Sequence, residues 1–302
     1  MVDTLRRRWG WSLSLVLLAS LLACGDEPMA AAPDPGASAG TVTTEVDGRP
    51  FTLSVPRSYR ADTPAPLVVL LHGYTSDAAE QERYFNLGAE MERRGFLYVL
   101  PDGTQEPDGD RFWNATNACC DFRGSGVDDS GFLSDLINQV KASYAVDPAR
   151  VYLVGHSNGG YMAYRMACDH ADQITAIVSL AGAMWSDPAQ CAPARPVSTL
   201  QIHGTSDEVV SYTGGGRYPG AEQTVAAWRE LNGCSPEGTT AAPLDLVADL
   251  ADAETTVTTY AGACRGGTVV ELWTMQGGSH VPALTEAFAP AVVNFLSARV
   301  AA

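Results

Sequence analysis

Glycines flank a serine in Gly155-His156-Ser157-Asn158-Gly159. This G-x-S-x-G spacing lets a backbone take a strained turn and lift a hydroxyl clear of a sheet. Ser157 is therefore the expected nucleophile. A serine hydroxyl needs a general base, and the chain has five histidines: His72, His156, His170, His203 and His280. His156 adjoins the serine and points elsewhere, His170 ends the helix after it, and His203 precedes Gly204 where the chain leaves a strand. His72 is read as shaping its loop. His280 remains, on the flexible run Gly277-Gly278-Ser279, and is the expected base. The third partner must orient the imidazole and stabilise its charged form. Asp207, in His203-Gly204-Thr205-Ser206-Asp207-Glu208, lies just past a strand end, with Glu208 its neighbouring competitor. Asp128 and Asp129 precede the serine and are read as structural or pocket residues.

Elements of fixed type must carry these groups. Val151 to Val154 reads as a strand that ends at the glycine turn, and Tyr161 to Met166 as the helix beyond it. Upstream, Thr41–Glu45 and Phe51–Val55 flank Asp47-Gly48, a hairpin pattern. Leu67–Leu71 is an unbroken apolar run, expected for a strand covered on both faces. Residues 78–94 read as one helix and Phe96–Leu100 as the next strand. Leu133, Leu136, Ile137 and Val140 recur at helical spacing. Ile174–Leu180, Thr199–Ile202 and Val269–Met275 supply further strands, and a last helix begins near Pro290. The alternation predicts an α/β fold with a mostly parallel sheet, an antiparallel N-terminal hairpin and helices on both faces. Between Pro101 and about Asp129 runs a long loop. Its Phe112 and Trp113 are candidates for a pocket wall, with loop packing the alternative, and His156 is a candidate substrate contact.

The 302 residues are 46% hydrophobic, enough for one large core. A net charge of -16 argues against nucleic acid as a partner. Arg6-Arg7-Arg8 followed by the apolar stretch Trp9 to Leu22 reads as an export signal, too short to span a bilayer comfortably. Leu21-Leu22-Ala23-Cys24 resembles a bacterial lipobox, which implies cleavage before Cys24 and lipidation of that residue. The expected organisation is a signal over 1–24, a flexible linker over 25–40 and a catalytic domain over 41–302. Removing the signal leaves 16 basic against 34 acidic residues. Six further cysteines, at 119, 120, 168, 191, 234 and 264, suit disulfides in an oxidising compartment, and they allow 15 pairings. Cys234 and Cys264 bracket one inserted segment and are the preferred pair. Zinc is disfavoured because adjacent Cys119-Cys120 lacks the gap that lets ligands converge.

Assembled, these residues resemble a known group. Leu71-His72-Gly73, Leu100-Pro101-Asp102-Gly103, Trp113-Asn114-Ala115 with Cys119-Cys120, Val127-Asp128-Asp129, Gly155 to Gly160 and Ile202-His203-Gly204 with Asp207 are similar to the secreted esterases grouped with polyhydroxybutyrate depolymerases, feruloyl esterases and acetylxylan esterases. The resemblance covers about Thr41 to Leu296. It implies an α/β-hydrolase fold, whose triad runs Ser, Asp, His along the chain, and ester hydrolysis through an acyl-serine without metal or organic cofactor. It also implies an oxyanion hole built from the N–H groups of Tyr74 and Asn158, the latter at a helix N-terminus. Two departures stand out. His280 is followed by Val281-Pro282-Ala283 where many relatives have Trp-Pro-Gly, and Ser130 stands where an apolar residue is usual. The expected substrate is a small or polysaccharide-linked ester in preference to solid polyester, and the only membrane contact expected is the lipid anchor. A serine peptidase and a silent surface-binding lipoprotein are the rival readings.

Overall fold

A computed structural model describes residues 39–301. The expected signal, Cys24 and all of the expected linker before Ala39 lie outside the described residues. Strands β1 (Gly40–Val46) and β2 (Arg49–Val55) form the N-terminal hairpin. Its turn residues Asp47 and Gly48 have φ of 51° and 74°. Two successive positive φ values give the turn that follows strand twist, which is why Asp-Gly suits it.

Strand β3 (Ala65–Leu71) is buried along its whole length. Leu67, Val69 and Leu71 enter one core while Val68 and Leu70 enter the other, the two-residue alternation of a strand with both faces covered. Helices α1 (Ala78–Phe85) and α2 (Gly88–Arg94) replace the single helix expected over 78–94. The break is at Asn86, whose left-handed backbone (φ 50°) sends its N–H back to Glu82 O at 2.7 Å and closes α1. The chain continues through β4 (Leu97–Pro101), the short hairpin β5 (Thr104–Gln105) and β6 (Arg111–Phe112), and helix α3 (Asp129–Ser143). Next come β7 (Val146–His156), α4 (Asn158–Asp169), β8 (Ala176–Leu180) and β9 (Ser198–Gly204). A second small hairpin, β10 (Gly214–Gly215) with β11 (Tyr218–Pro219), precedes α5 (Ala221–Asn232). The chain ends with β12 (Thr239–Thr240), β13 (Thr255–Tyr260), β14 (Val270–Met275) and α6 (Phe288–Ser297).

The main sheet has the order β1-β2-β4-β3-β7-β8-β9-β14-β13-β12. From β4 to β14 neighbouring strands are parallel, with antiparallel pairs at both ends. One core lies between the sheet and α3, α4 and α5, the other between the sheet and α1, α2 and α6. The segment between Cys234 and Cys264, read as an insertion, supplies the sheet's edge strands β12 and β13. Disulfides join Cys119 to Cys120, Cys168 to Cys191, and Cys234 to Cys264.

Asp129 holds the long loop after β4. Its buried carboxylate pairs with Arg49 at 2.7 Å and accepts from Thr104 Oγ1 at 3.0 Å and Asn114 N–H at 2.7 Å. Asp128 caps α3 by accepting the Gly131 N–H at 2.9 Å. Both acids therefore serve the fold. In a sheet of this topology the loops that leave the C-terminal ends of the parallel strands gather on one side. His72, Ser157, Asp207 and His280 all sit on such loops, after β3, β7, β9 and β14.

Candidate active site

Ser157 occupies the turn between β7 and α4 with φ 51° and ψ -118°, a conformation that side-chain-bearing residues rarely adopt. Its flanking glycines are steric necessities. A Cβ on Gly155 would lie 2.1 Å from Gly159 O, and one on Gly159 would lie 2.2 Å from Leu71 O. Strand, turn and helix are thus pressed together, and the turn is tied to the sheet by Ser157 N–H to Leu180 O at 2.8 Å.

His280 stands between Ser157 and Asp207. Its Nε2 is 2.9 Å from Ser157 Oγ and its Nδ1 is 2.8 Å from Asp207 Oδ2. The loops carrying Asp207 and His280 are laced by Ser206 N–H to Gly278 O at 2.9 Å and Gly277 N–H to Thr205 Oγ1 at 2.8 Å. Asp207 Oδ1 accepts the N–H groups of Val209 and Val210 at 2.9 and 2.8 Å. Burial alone would raise the Asp207 pKa. Hydrogen bonds from His203 and His280, the His280 charge and the Val210 N–H outweigh it and hold the carboxyl well below the usual range. Glu208 is exposed and makes no such contact, so Asp207 is the acid the geometry presents to His280.

His72 shapes the loop after β3. Its Nε2 accepts the Gly103 N–H at 2.8 Å, so its proton lies on Nδ1, which donates to Gly73 O at 2.7 Å. Burial lowers its pKa and keeps it neutral. Gly73 is held against the elbow, since a Cβ there would lie 3.7 Å from Ser157 Cβ. The next N–H, that of Tyr74, donates to no acceptor among the described residues, and the Asn158 N–H opens α4. The Asn158 side chain clamps the backbone of Trp113, accepting its N–H at 2.7 Å and donating to its carbonyl at 2.9 Å. This brace was not anticipated from sequence, where Asn158 matters only as the residue after the serine.

Three expected substrate contacts are corrected. Trp113 is fully buried with Nε1 donating to His72 O at 3.1 Å, and Phe112 is 2% exposed, so both pack the loop beneath the site. His156 lies behind His280: its Nε2 donates to His280 O at 2.9 Å, and its ring packs against Tyr84 and Phe85. Phe122, by contrast, is exposed and set edge-on to Tyr74 with ring centroids 5.3 Å apart. Arg123 anchors the Phe122 loop through Glu106 and Asp108, and Glu106 also accepts from Tyr74 OH at 3.4 Å. Position 122 has no periodicity or motif, so nothing in the sequence distinguished it.

Burial pushes the His156 pKa down to about 4. The unfolded chain, with a histidine pKa of about 6.5, binds this proton first as pH falls. Stability from neutral His156 is therefore complete above about pH 6.5 and is lost as pH falls to about 4, by about 3 kcal/mol in all. Urea midpoints at pH 7.5 and 4.5 should fall further in the wild type than in His156→Gln. An equal decline in both would exclude His156 as the source.

A model of phospholipase/carboxylesterase sequences matches residues 59–226, more than half of the chain. The chain belongs to this phospholipase/carboxylesterase family. It is 30% identical to feruloyl esterase B of Piromyces equi over 77% of its own length and 42% of that protein. It is 30% identical to a putative esterase, NocK, of Nocardia uniformis over 69% of its length and 66% of that protein. Feruloyl esterase D of Neurospora crassa is 28% identical, matching 89% of the chain and 88% of the relative. Among solved structures, an acetyl xylan esterase from Aspergillus awamori aligns with a TM-score of 0.59 at 16% identity, over 86% of this chain and 99% of that one. That likeness is one of fold and, with the family match, identifies an α/β-hydrolase.

Proposed function

We propose that the chain is an exported serine carboxylesterase. The observation that carries this reading is the single imidazole within hydrogen-bond reach of both the Ser157 hydroxyl, at 2.9 Å, and the Asp207 carboxylate, at 2.8 Å. Ser157 Oγ attacks the ester carbonyl while His280 Nε2 takes its proton, and Asp207 stabilises the resulting imidazolium. The N–H groups of Tyr74 and Asn158 receive the oxyanion. His280 returns the proton to the departing alkoxide, which leaves as the alcohol. Water, deprotonated by the same imidazole, then attacks the acyl-serine carbonyl, and the imidazolium gives that proton to the departing Ser157 Oγ as the acid is released.

The substrates proposed are esters of short-chain or aromatic acids, free or carried on plant polysaccharide, after the feruloyl esterases among the relatives. Phe122 is 58% exposed beside Tyr74 and borders a cleft of about 210 Å³ that also meets Asn114, Asn117, Asp121 and Arg165. In a comparison of methyl ferulate, nitrophenyl acetate and a polyester film, the wild type should turn over both soluble esters. Phe122→Ala should lower kcat/KM about tenfold for the ferulate and less than twofold for the acetate. Film clearing without soluble turnover would overturn the substrate class, and equal losses on both esters would remove Phe122 from specificity.

Export is supported by Arg6-Arg7-Arg8, the apolar stretch after it and three disulfides. Anchoring through lipidated Cys24 is the finer proposal. Mass spectrometry of the mature N-terminus should find diacylglyceryl on Cys24. An unmodified terminus at another residue would make the enzyme a freely secreted one.

A further inference from the structure

Asp207 has a second histidine beside it, and a buried polar chain determines where that histidine's proton sits. His203 Nε2 lies 3.3 Å from Asp207 Oδ2 and 2.7 Å from Val210 O. His203 Nδ1 is 3.0 Å from Gln201 Nε2. The same amide nitrogen is 2.8 Å from Gly182 O, and Gln201 Oε1 is 2.9 Å from Tyr164 OH. Tyr164, Gln201 and His203 are each no more than 1% exposed, and each has a protein partner for its polar atoms.

The assignment follows from donor counting. Gly182 O can only accept, so the Gln201 atom beside it is the NH2 group, which also faces His203 Nδ1. An amide nitrogen has no lone pair to offer, so Nδ1 accepts and carries no proton. The His203 proton therefore lies on Nε2, which donates to Val210 O at 2.7 Å and stands 3.3 Å from Asp207 Oδ2. Tyr164 holds the amide in this orientation by donating to Oε1. Oδ2 thus takes the His280 Nδ1–H at 2.8 Å with the N–H edge of His203 3.3 Å away, while Oδ1 takes two backbone N–H groups.

We propose that His203, locked as its Nε2–H tautomer by Gln201 and Tyr164, is a positioning residue for the proposed esterase reaction. It keeps the Asp207 carboxylate aligned on His280, and through the Val210 carbonyl it holds the turn that supplies the donors to Oδ1. His203 is buried and meets no substrate, so its loss should act on turnover rather than on substrate affinity. A misaligned carboxylate tilts the imidazole that must meet Ser157 Oγ, and small displacements of that kind cost on the order of 10- to 100-fold in rate.

Two measurements test this on the folded full-length chain. Nitrogen-15 NMR of histidine-labelled Ser157→Ala protein at pH 8, with the His203 signals identified by their absence from His203→Gln, should show Nε2 protonated and Nδ1 bare. A proton on Nδ1 would overturn the proposal, and this readout needs no activity, so it stands apart from failure of the esterase reading. In kinetics normalised to titrated Ser157, His203→Leu should lose 10- to 100-fold in kcat with KM within about twofold. His203→Gln, whose amide N–H reaches the place of Nε2–H, should recover most of the rate. A merely structural role would lower the number of titratable sites and leave turnover per site intact. That outcome, or a Gln variant as impaired as the Leu variant, would overturn the proposal. A wild-type chain with no ester hydrolysis would refute the esterase reading instead.

Discussion

Ser157→Ala is expected to lower kcat for nitrophenyl acetate by about 10⁴- to 10⁶-fold, the range seen when a serine hydrolase loses its nucleophile. Only the hydroxyl is removed, and its one hydrogen bond is to His280 Nε2. The turn is held by other contacts: Ser157 N–H to Leu180 O, and Gly155 and Gly159 pressed against neighbouring backbone. The variant should therefore fold, with circular dichroism and melting temperature close to wild type. Ser157→Gly should be as inactive and melt no lower, because glycine relieves the φ of 51° that serine bears at a cost on the order of 1–3 kcal/mol. Residual turnover above a hundredth of wild type in either variant would exclude Ser157 as the nucleophile.

Where backbone conformation depends on local composition, the fold was legible in the sequence. β3 reads directly as a strand because its run Ala65–Leu71 is apolar throughout, and both faces are covered. Asp47-Gly48 reads as a hairpin because few pairs tolerate two positive φ values. The division of residues 78–94 was not legible. Asn86 can sit inside a helix or close one, and here its left-handed backbone closes α1. α5 has little sequence signal because its buried Val225 and Trp228 sit among Glu222, Gln223, Arg229 and Glu230, a weak apolar stripe. β13 was hidden for a related reason: Thr255–Tyr260 is mostly threonine and gains its place by pairing with β14.

At the site, motif and chain order pointed to residues that bring chemistry, and the structure places Ser157, His280 and Asp207 in one hydrogen-bonded row. Side-chain direction was beyond sequence. Trp113 and Phe112 lie in a loop long enough to form a pocket wall, yet the clamp from Asn158 and the bond from Trp113 Nε1 to His72 turn them inward. His203 reads in sequence only as the end of a strand, and its contact with Asp207 depends on how the chain turns through Gly204 and Val210.

Asp207→Asn should leave the fold intact and cost about 10⁴-fold in kcat, the magnitude expected when a triad imidazole is held in the wrong tautomer. The backbone decides how the amide sits. Val209 and Val210 N–H groups donate to Oδ1, so the amide oxygen must take that position and the NH2 group must take the place of Oδ2. There it faces His280 Nδ1, which becomes an acceptor, and the imidazole proton moves to Nε2. Nε2–H then points at Ser157 Oγ and cannot take its proton. The new NH2 group also stands about 3.3 Å from His203 Nε2, a second donor, so local stability falls as well. The sign of its pH dependence follows from the Asp207 pKa, which the folded state depresses. Stability from the carboxylate is complete above its unfolded pKa of about 4 and is lost as pH falls through the lower folded value, so wild type and variant should converge in acid. Stopped-flow kinetics at pH 8 with urea titrations at pH 7 and 3 would measure both effects. Turnover within tenfold of wild type would show that Asp207 does not orient His280.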